Sequence, residues 1–278
     1  MSICIYHDSC PDGIASAWIV QKAIPDIELF GGRYGGELPI VAGKKTYFVD
    51  FCYDADIMKQ MAENASELTV IDHHKTAQKA IDMLRELPQV SVCWDLTQSG
   101  CQLAWKHFFS EMSEPIFLTH IADRDLWKWS NKNSKPFVSG YMHKYKLNIE
   151  TMELLSKLTT DEYWSLVDLG KTVLEMEEHT IKWLCSSAVL REWQGYSVWF
   201  CESTIYRSDI GAKLALREEG DFALVWRYNM EKDEVWISLR GSNEKGIDLT
   251  PLAQKYGGGG HPNACGFAVK GSIQQLWV

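Results

Sequence analysis

The chain has 278 residues, 46% of them hydrophobic and 23% charged, enough to bury a sizeable core and better suited to two domains than to one. Its formal net charge of −9 leaves little counterion-release energy for a long nucleic-acid backbone. A processive binder of long duplex is thereby disfavoured, whereas a short anionic substrate held in one local pocket is not.

In chain order, Ser2–His7 (SICIYH) reads as a buried strand, followed by a helix over residues 13–23. Gly31-Gly32-Arg33 reads as a turn rather than a phosphate loop. Further strands are expected at 45–51, 67–71 and 90–94, with helices from Ala55 and over 76–87 and 99–109. Short apolar runs alternating with helices indicate βαβ units and a parallel sheet covered on both faces. Residues 159–190 carry a long helical pattern and read as a connector. A second α/β unit follows, with strands at 196–201, 222–228, 235–240 and 264–269, the last after a glycine run. The expected fold class is therefore α/β: an N-terminal parallel-sheet domain (1–158), a helical connector (159–190) and a smaller C-terminal α/β domain (191–278).

The eight Cys contain no CxxC pair, so neither a zinc ribbon nor a disulfide framework is expected. No basic segment followed by an apolar stretch opens the chain and no apolar run is long enough to span a bilayer. A cytoplasmic, reducing compartment and no membrane partner are the expectation. The 12 Trp read as core and interface anchors, and His107, His143 and His179 as isolated surface or core residues.

Three acidic or His-bearing motifs begin where strands end: Asp8 and Asp12 after SICIY, Asp50 after TYFV, and Asp72-His73-His74 after LTVI. Ligands of open α/β sheets bind at the carboxyl ends of strands, so these distant residues can share one crevice. Asp123, in HIADRD, is a fourth candidate and Asp125 is placed second to it. Carboxylates and imidazoles together suit Mn²⁺ and related divalent ions. Without a cation the crowded carboxylates would repel and raise one another's pKa values. Two ions about 3.5–4 Å apart, bridged by a carboxylate, are a known solution for phosphoester hydrolysis. Taken singly, an Asp after a strand is more often a helix N-cap; the ordered combination is what carries the reading.

The order HDSCPDG, VDF, IDHH and IAD, followed by SLRGS and DLTPLAQKYGGGGHPNACGF, resembles the DHH phosphoesterase family with its C-terminal DHH-associated, GGGH-bearing domain. That family includes RecJ-type exonucleases, nanoRNases, cyclic-dinucleotide phosphodiesterases and family II pyrophosphatases. The resemblance implies Asp50 as the carboxylate bridging both ions, with Asp12, His73 and Asp123 completing one site and Asp8 and His7 serving the other. It implies His74 beside the scissile phosphate as stabiliser or proton donor, with Asp72 orienting the triplet. One departure stands out: many members carry Asp-x-Asp before the glycine, where this chain has Cys10-Pro11-Asp12. Either His7 and Asp8 substitute for the lost oxygen ligand, the reading favoured from sequence, or a Cys10 thiolate shifts preference towards softer metals.

In the second domain, Gly258, Gly259, Gly260 and the preceding Gly257 permit close backbone approach and an anion-binding nest, with His261 and Arg240 as phosphate contacts. By the resemblance this domain holds the substrate's end while the first cleaves. The expectation is thus a phosphodiesterase with two Mn²⁺ ions (Mg²⁺ or Co²⁺ as alternatives), converting short oligonucleotides or dinucleotides to nucleoside 5′-monophosphates. The 278 residues leave no obvious room for an added single-strand-binding domain. A phosphomonoesterase or pyrophosphatase, and a nucleotide-binding sensor that has lost catalysis, remain alternatives, and a homodimer is left open.

Overall fold

In the computed structural model of the chain, which describes residues 1–8 and 10–277, the first half folds as a run of βα units. The order is β1 (Ser2–His7), α1 (Pro11–Ala23), β2 (Glu28–Gly32), β3 (Lys45–Val49), α2 (Ala55–Asn64), β4 (Glu67–Asp72), α3 (Gln78–Leu84) and β5 (Val90–Trp94). Helices α4 (Gly100–Phe109), α5 (Ile116–Asp125), α6 (Ser134–Lys144), α7 (Ile149–Leu155) and α8 (Thr160–Ser186) follow. The remainder comprises β6 (Val189–Trp193), β7 (Tyr196–Glu202), α9 (Arg207–Ala215), β8 (Phe222–Asn229), β9 (Glu234–Arg240), α10 (Thr250–Lys255), β10 (Gly259–His261) and β11 (Ala264–Lys270). The chain divides into two units, Met1–Leu174 and Glu175–Val278, with the division inside α8. The helical pattern read over 159–190 stops at Ser186, and its last residues belong to β6.

The first unit is built on a five-stranded, all-parallel sheet of order β2-β1-β3-β4-β5. Alternation along the strands feeds two cores. Ile3, Ile5, Phe48 and Val70 pack with Met58, Ile81 and Leu84 from α2 and α3. Cys4, Tyr47, Val49 and Ile71 pack with Ile14, Trp18, Leu103 and Phe117 from α1, α4 and α5. Each such apolar side chain contributes roughly 1.5–3 kcal/mol on burial, so strand register is fixed from both faces. The strand order reverses between β1 and β3, and that switch opens a crevice at the strands' carboxyl ends.

Gly31-Gly32 is not a turn. Both residues lie in β2, where Gly32 pairs with His7 of β1. A Cβ on Gly32 would sit 2.7 Å from the Phe51 ring, so only glycine lets this edge strand pass.

The second unit carries a six-stranded mixed sheet, order β10-β11-β9-β8-β7-β6, parallel only between β7 and β8. Its core gathers Trp193, Phe200, Phe222, Leu239 and Phe267. The glycine run does not form the open loop expected of a nest. Gly259–His261 is a strand pairing antiparallel to β11, and Gly258 is pressed against the Gly266 carbonyl and Phe267. No described helix is long and apolar enough to cross a membrane, and all eight Cys are free thiols.

Candidate metal centre

Asp50 immediately follows β3, and the Asp72-His73-His74 triplet sits at the end of β4. His7 ends β1, and Asp12 occupies the first turn of α1 behind Pro11, which suits the first helical position because it lacks an N–H. The parallel register brings these groups to one edge. Asp12, Asp72 and His73 are fully buried and Asp50 is 1% exposed.

His73 is the hub. Its Nε2 lies 3.0 Å from Asp50 Oδ1, 3.4 Å from Asp125 Oδ2 and 3.6 Å from Asp12 Oδ2. On the far side of Asp50, Oδ2 lies 3.5 Å from His7 Nδ1. His74 Nδ1 is 2.7 Å from Asp72 Oδ1, which also accepts from the His73 and His74 backbone N–H groups at 2.7 and 3.3 Å. Asp50 adopts φ 53°, left-handed backbone that a residue with a Cβ enters at a cost of about 1–3 kcal/mol, while its N–H is fixed on the Ile71 carbonyl. Strain of this kind gathers at functional sites, where surrounding structure over-determines it.

Asp12 is gripped from the N-terminus of α4, its carboxylate accepting from Gly100 N–H at 2.6 Å and Cys101 N–H at 3.0 Å. Ser99 caps that helix in a capping box with Gln102. The sequence marks this Ser-Gly-Cys turn only as a helix start, and nothing in it signals the grip on Asp12. A Cβ on Gly100 would fall 2.6 Å from Asp50 Cβ and 3.0 Å from Asp12 Oδ2. Gly100→Ala is therefore expected to displace both carboxylates and to weaken Mn²⁺ binding by about 10-fold or more. The overpacking should also cost about 1–3 kcal/mol; titration calorimetry and thermal unfolding measure the two effects.

The electrostatics follow from crowding these acids and imidazoles together. Burial and the neighbouring charges of Asp50 and Asp125 push Asp12 up to about 8. Burial and Asp50 likewise raise Asp125. For Asp50 itself burial is outweighed by the close imidazoles of His7 and His73, which hold it ionised. Burial would lower His73, but Asp50, Asp125 and Asp12 carry it up to about 10. Carboxylates are thus neutralised by their own protons and by a protonated imidazole, the balance expected where a cation belongs. Three polar atoms directed into the cluster, His7 Nδ1, Asp50 Oδ2 and Asp125 Oδ2, are buried with no hydrogen-bond partner. Asp12, His73 and Asp125 offer donor atoms within 4.8 Å of one another, as do His7, Cys10 and Asp50, and Asp50, Asp72 and His74. Oxygen-rich, imidazole-bearing sets of this kind fit Mn²⁺ and its neighbours.

Two expectations are corrected. Asp123 does not join the cluster: its carboxylate accepts from Ser130 N–H at 2.8 Å, Ser130 Oγ at 2.7 Å and Asn131 N–H at 3.0 Å. Residues two apart on a helix point about 200° apart, so only one of Asp123 and Asp125 can face His73, and it is Asp125. Asp8 is engaged by Arg33, through Nε and Nη2, at the β2 edge and is absent from these donor groups, whereas Cys10 is present. In the second unit, Arg240 donates to Ser208 Oγ at 2.9 Å and to the Leu239 carbonyl at 2.8 Å, and burial next to Arg207 lowers it to about 10. Gly258, Gly259, Gly260 and His261 form the β10 hairpin described above.

No family model matches the chain. It is 29% identical over 300 residues to the uncharacterized protein R106 of Acanthamoeba polyphaga mimivirus, covering 98% of this chain and 68% of that protein. It is 21% identical over 234 residues to the oligoribonuclease NrnB of Bacillus subtilis (strain 168), covering 80% of this chain and 57% of that protein. Among solved structures, a DHH domain described as a member of the s1p family of ribosomal proteins aligns with a TM-score of 0.61 at 14% identity, over 99% of this chain and 84% of that one. RecJ of Thermus thermophilus, solved in complex with Mn²⁺, aligns with a TM-score of 0.52 at 15% identity, over 97% of this chain and 49% of RecJ. The fold is that of DHH-domain proteins, and the triplet for which they are named stands here at the end of β4.

Proposed function

We propose that this chain is a divalent-metal-dependent phosphodiesterase that hydrolyses short oligonucleotides or dinucleotides to nucleoside 5′-monophosphates. The carrying observation is the convergence of Asp12, Asp50 and Asp125 on His73, with Asp50 Oδ2 and Asp125 Oδ2 among the buried atoms left without a hydrogen-bond partner. Asp12, His73 and Asp125 would hold one cation, His7 and Asp50 would serve a second, and Asp50 would be shared. Mn²⁺ is the ion assigned, with Mg²⁺ and Co²⁺ as alternatives. Bound there, such ions supply Lewis acidity and activate water for attack on phosphorus.

The chain's own groups do the rest. Asp72 orients the His74 ring, and although burial works against it, the Asp72 charge raises His74 above an ordinary imidazole. A protonated His74 can then donate to the phosphate or to the leaving oxygen. Arg240 and the β10 hairpin with His261 are assigned to the substrate's phosphate end, as the DHH-associated resemblance implies. Support for a nucleotide substrate comes from the relative described as an oligoribonuclease, and support for a short one from the net charge of −9.

Two measurements test this. Turnover of a dinucleotide, pyrophosphate and a 3′,5′-bisphosphate nucleotide under a Mn²⁺ titration should favour the dinucleotide. Preference for pyrophosphate would overturn the assignment, as would tight nucleotide binding with no hydrolysis under any cation. Cation uptake should also release protons, since Asp12 (about 8) and His73 (about 10) hold theirs at neutral pH in the metal-free protein. About two protons are expected to leave from these two groups on loading at pH 7, fewer as pH passes 8, so affinity rises with pH. Calorimetry in buffers of different ionisation enthalpy reads the number directly.

A further inference from the structure

Cys10 stands where sequence reading placed a lost oxygen ligand. Its donor atom, an imidazole nitrogen of His7 and a carboxylate oxygen of Asp50 all lie within 4.8 Å of one another, and among the described residues no other cysteine belongs to such a group. The other thiols pack differently: Cys4 and Cys101 lie in one apolar core of the first unit with Cys93 packed against it, Cys52 lies in the other, and Cys185, Cys201 and Cys265 belong to the apolar cores of the second unit. Cys10 instead faces the carboxylates of Asp50, Asp125 and Asp12.

Three further facts point to a ligand at this spot. Asp50 Oδ2 and His7 Nδ1 are buried there without hydrogen-bond partners, and Asp50 is 1% exposed. The residue that could have restored a hard oxygen donor, Asp8, is committed to Arg33. Cys10 precedes Pro11 in extended backbone, φ −113° and ψ 131°, which sets its sulfur near the Gly13 backbone N–H in the first turn of α1, a donor that favours the thiolate.

We propose that Cys10 is a metal ligand, its thiolate joining His7 and Asp50 in a site that prefers borderline-soft divalent cations such as Zn²⁺ or Co²⁺ to Mg²⁺. The inference rests on the reading of Asp50 as a carboxylate shared by two cations. Binding replaces the S–H proton with the cation, and the proton passes to solvent. Sulfur and imidazole donors select thiophilic and borderline ions, whereas carboxylate sets select hard ones. The two positions therefore differ in kind: Asp12, His73 and Asp125 with Asp50 make an oxygen-rich site suited to Mn²⁺, beside a mixed S/N/O site.

The test titrates Co²⁺ into the metal-free full chain and into Cys10→Ser and Cys10→Asp. Wild type should develop a thiolate-to-cobalt charge-transfer band in the near ultraviolet that both variants lack, while visible ligand-field absorption from the oxygen-rich site persists in all three. After equilibration with equimolar Zn²⁺ and Mn²⁺, the retained Zn-to-Mn ratio should fall by about 10-fold or more in Cys10→Asp, since even outer partners of a ligand are worth about 10–100-fold in affinity. Cobalt binding to wild type without the charge-transfer band, or an unchanged metal ratio in folded Cys10→Asp, overturns the proposal. Should Cys10→Asp fail to fold, the wild-type band and its loss in Cys10→Ser decide. A protein that lacks the band yet hydrolyses the dinucleotide keeps its phosphodiesterase reading. One that shows the band but hydrolyses nothing keeps the thiolate site and loses that reading, and failure to bind Co²⁺ at all removes both.

Discussion

Asp50→Asn should reduce Mn²⁺-stimulated hydrolysis of a dinucleotide by at least about 10³-fold, the scale on which loss of a central transition-state electrostatic group is felt. Among the described residues, Asp50 is the one carboxylate placed against both His73, at 3.0 Å, and His7, at 3.5 Å. Loss of its charge therefore unmakes both proposed cation positions at once. The substitution is well chosen for keeping the fold. Asn enters the left-handed backbone region more readily than most residues, and φ at this position is 53°. The amide is close in shape to the carboxylate and removes one charge from a crowded set. His73→Ala should match the loss in activity by removing the group that touches all three carboxylates. The measurements are kcat/KM and bound metal per chain, with near-ultraviolet circular dichroism as the check on folding. Near-wild-type turnover in both folded variants would sink the metal mechanism.

The second large effect is a contrast between two acids on one helix. Asp125→Asn should cost about 100-fold or more in metal-dependent activity, as loss of a direct ligand. Its carboxyl is raised first by burial and then by the Asp50 charge. A carboxyl whose folded-state pKa lies above its unfolded value destabilises the fold at higher pH and recovers as pH falls. Replacing it with a neutral amide should leave the metal-free protein at least as heat-stable at pH 7 as wild type. Asp123→Asn should do the reverse. Burial works to raise this carboxyl, but hydrogen bonds from Ser134, Ser130 and Asn131 overcome that and hold it low. Its stability contribution is present above the ordinary carboxylate pKa and is lost as pH falls through the depressed folded value. Removing the charge should cost about 2 kcal/mol, with metal stoichiometry retained. Thermal unfolding and metal analysis of the pair separate the roles; activity loss in Asp123→Asn with unchanged Tm would overturn them.

How much of this was legible in the sequence varied with the physics involved. Strand runs buried on both faces announce themselves, and Ser2–His7 and Val90–Trp94 were placed to the residue. Asp50 and the Asp72-His73-His74 triplet were readable because each follows a β-rich run directly, and parallel sheets gather such ends. β2 was missed because Gly31-Gly32 carries turn chemistry in isolation, while the demand for glycine there comes from Phe51, about twenty residues later. Asp125 lost to Asp123 because helical phase excludes one of the two without naming which. The naming signal was Ser130-Asn131, the donors that claim Asp123. Cys10 could not be ranked without knowing that Arg33 takes Asp8. The glycine run misled for a related reason, since tight strand packing and an open nest ask for the same residue.

The grip of α4 on Asp12 has a consequence for the order in which the protein assembles. Asp12 receives its two backbone donors from 88 and 89 residues further along the chain. Asp125 comes later still. During folding, strands β1, β3 and β4 can pair on apolar contacts alone, but the negative charges cannot be driven together until α4 and α5 dock. Separations this long place closure of the acidic pocket towards the end of the pathway. On the proposed function, loading with metal is therefore expected to follow the docking of α4 and α5, which a time course of metal uptake during refolding would check.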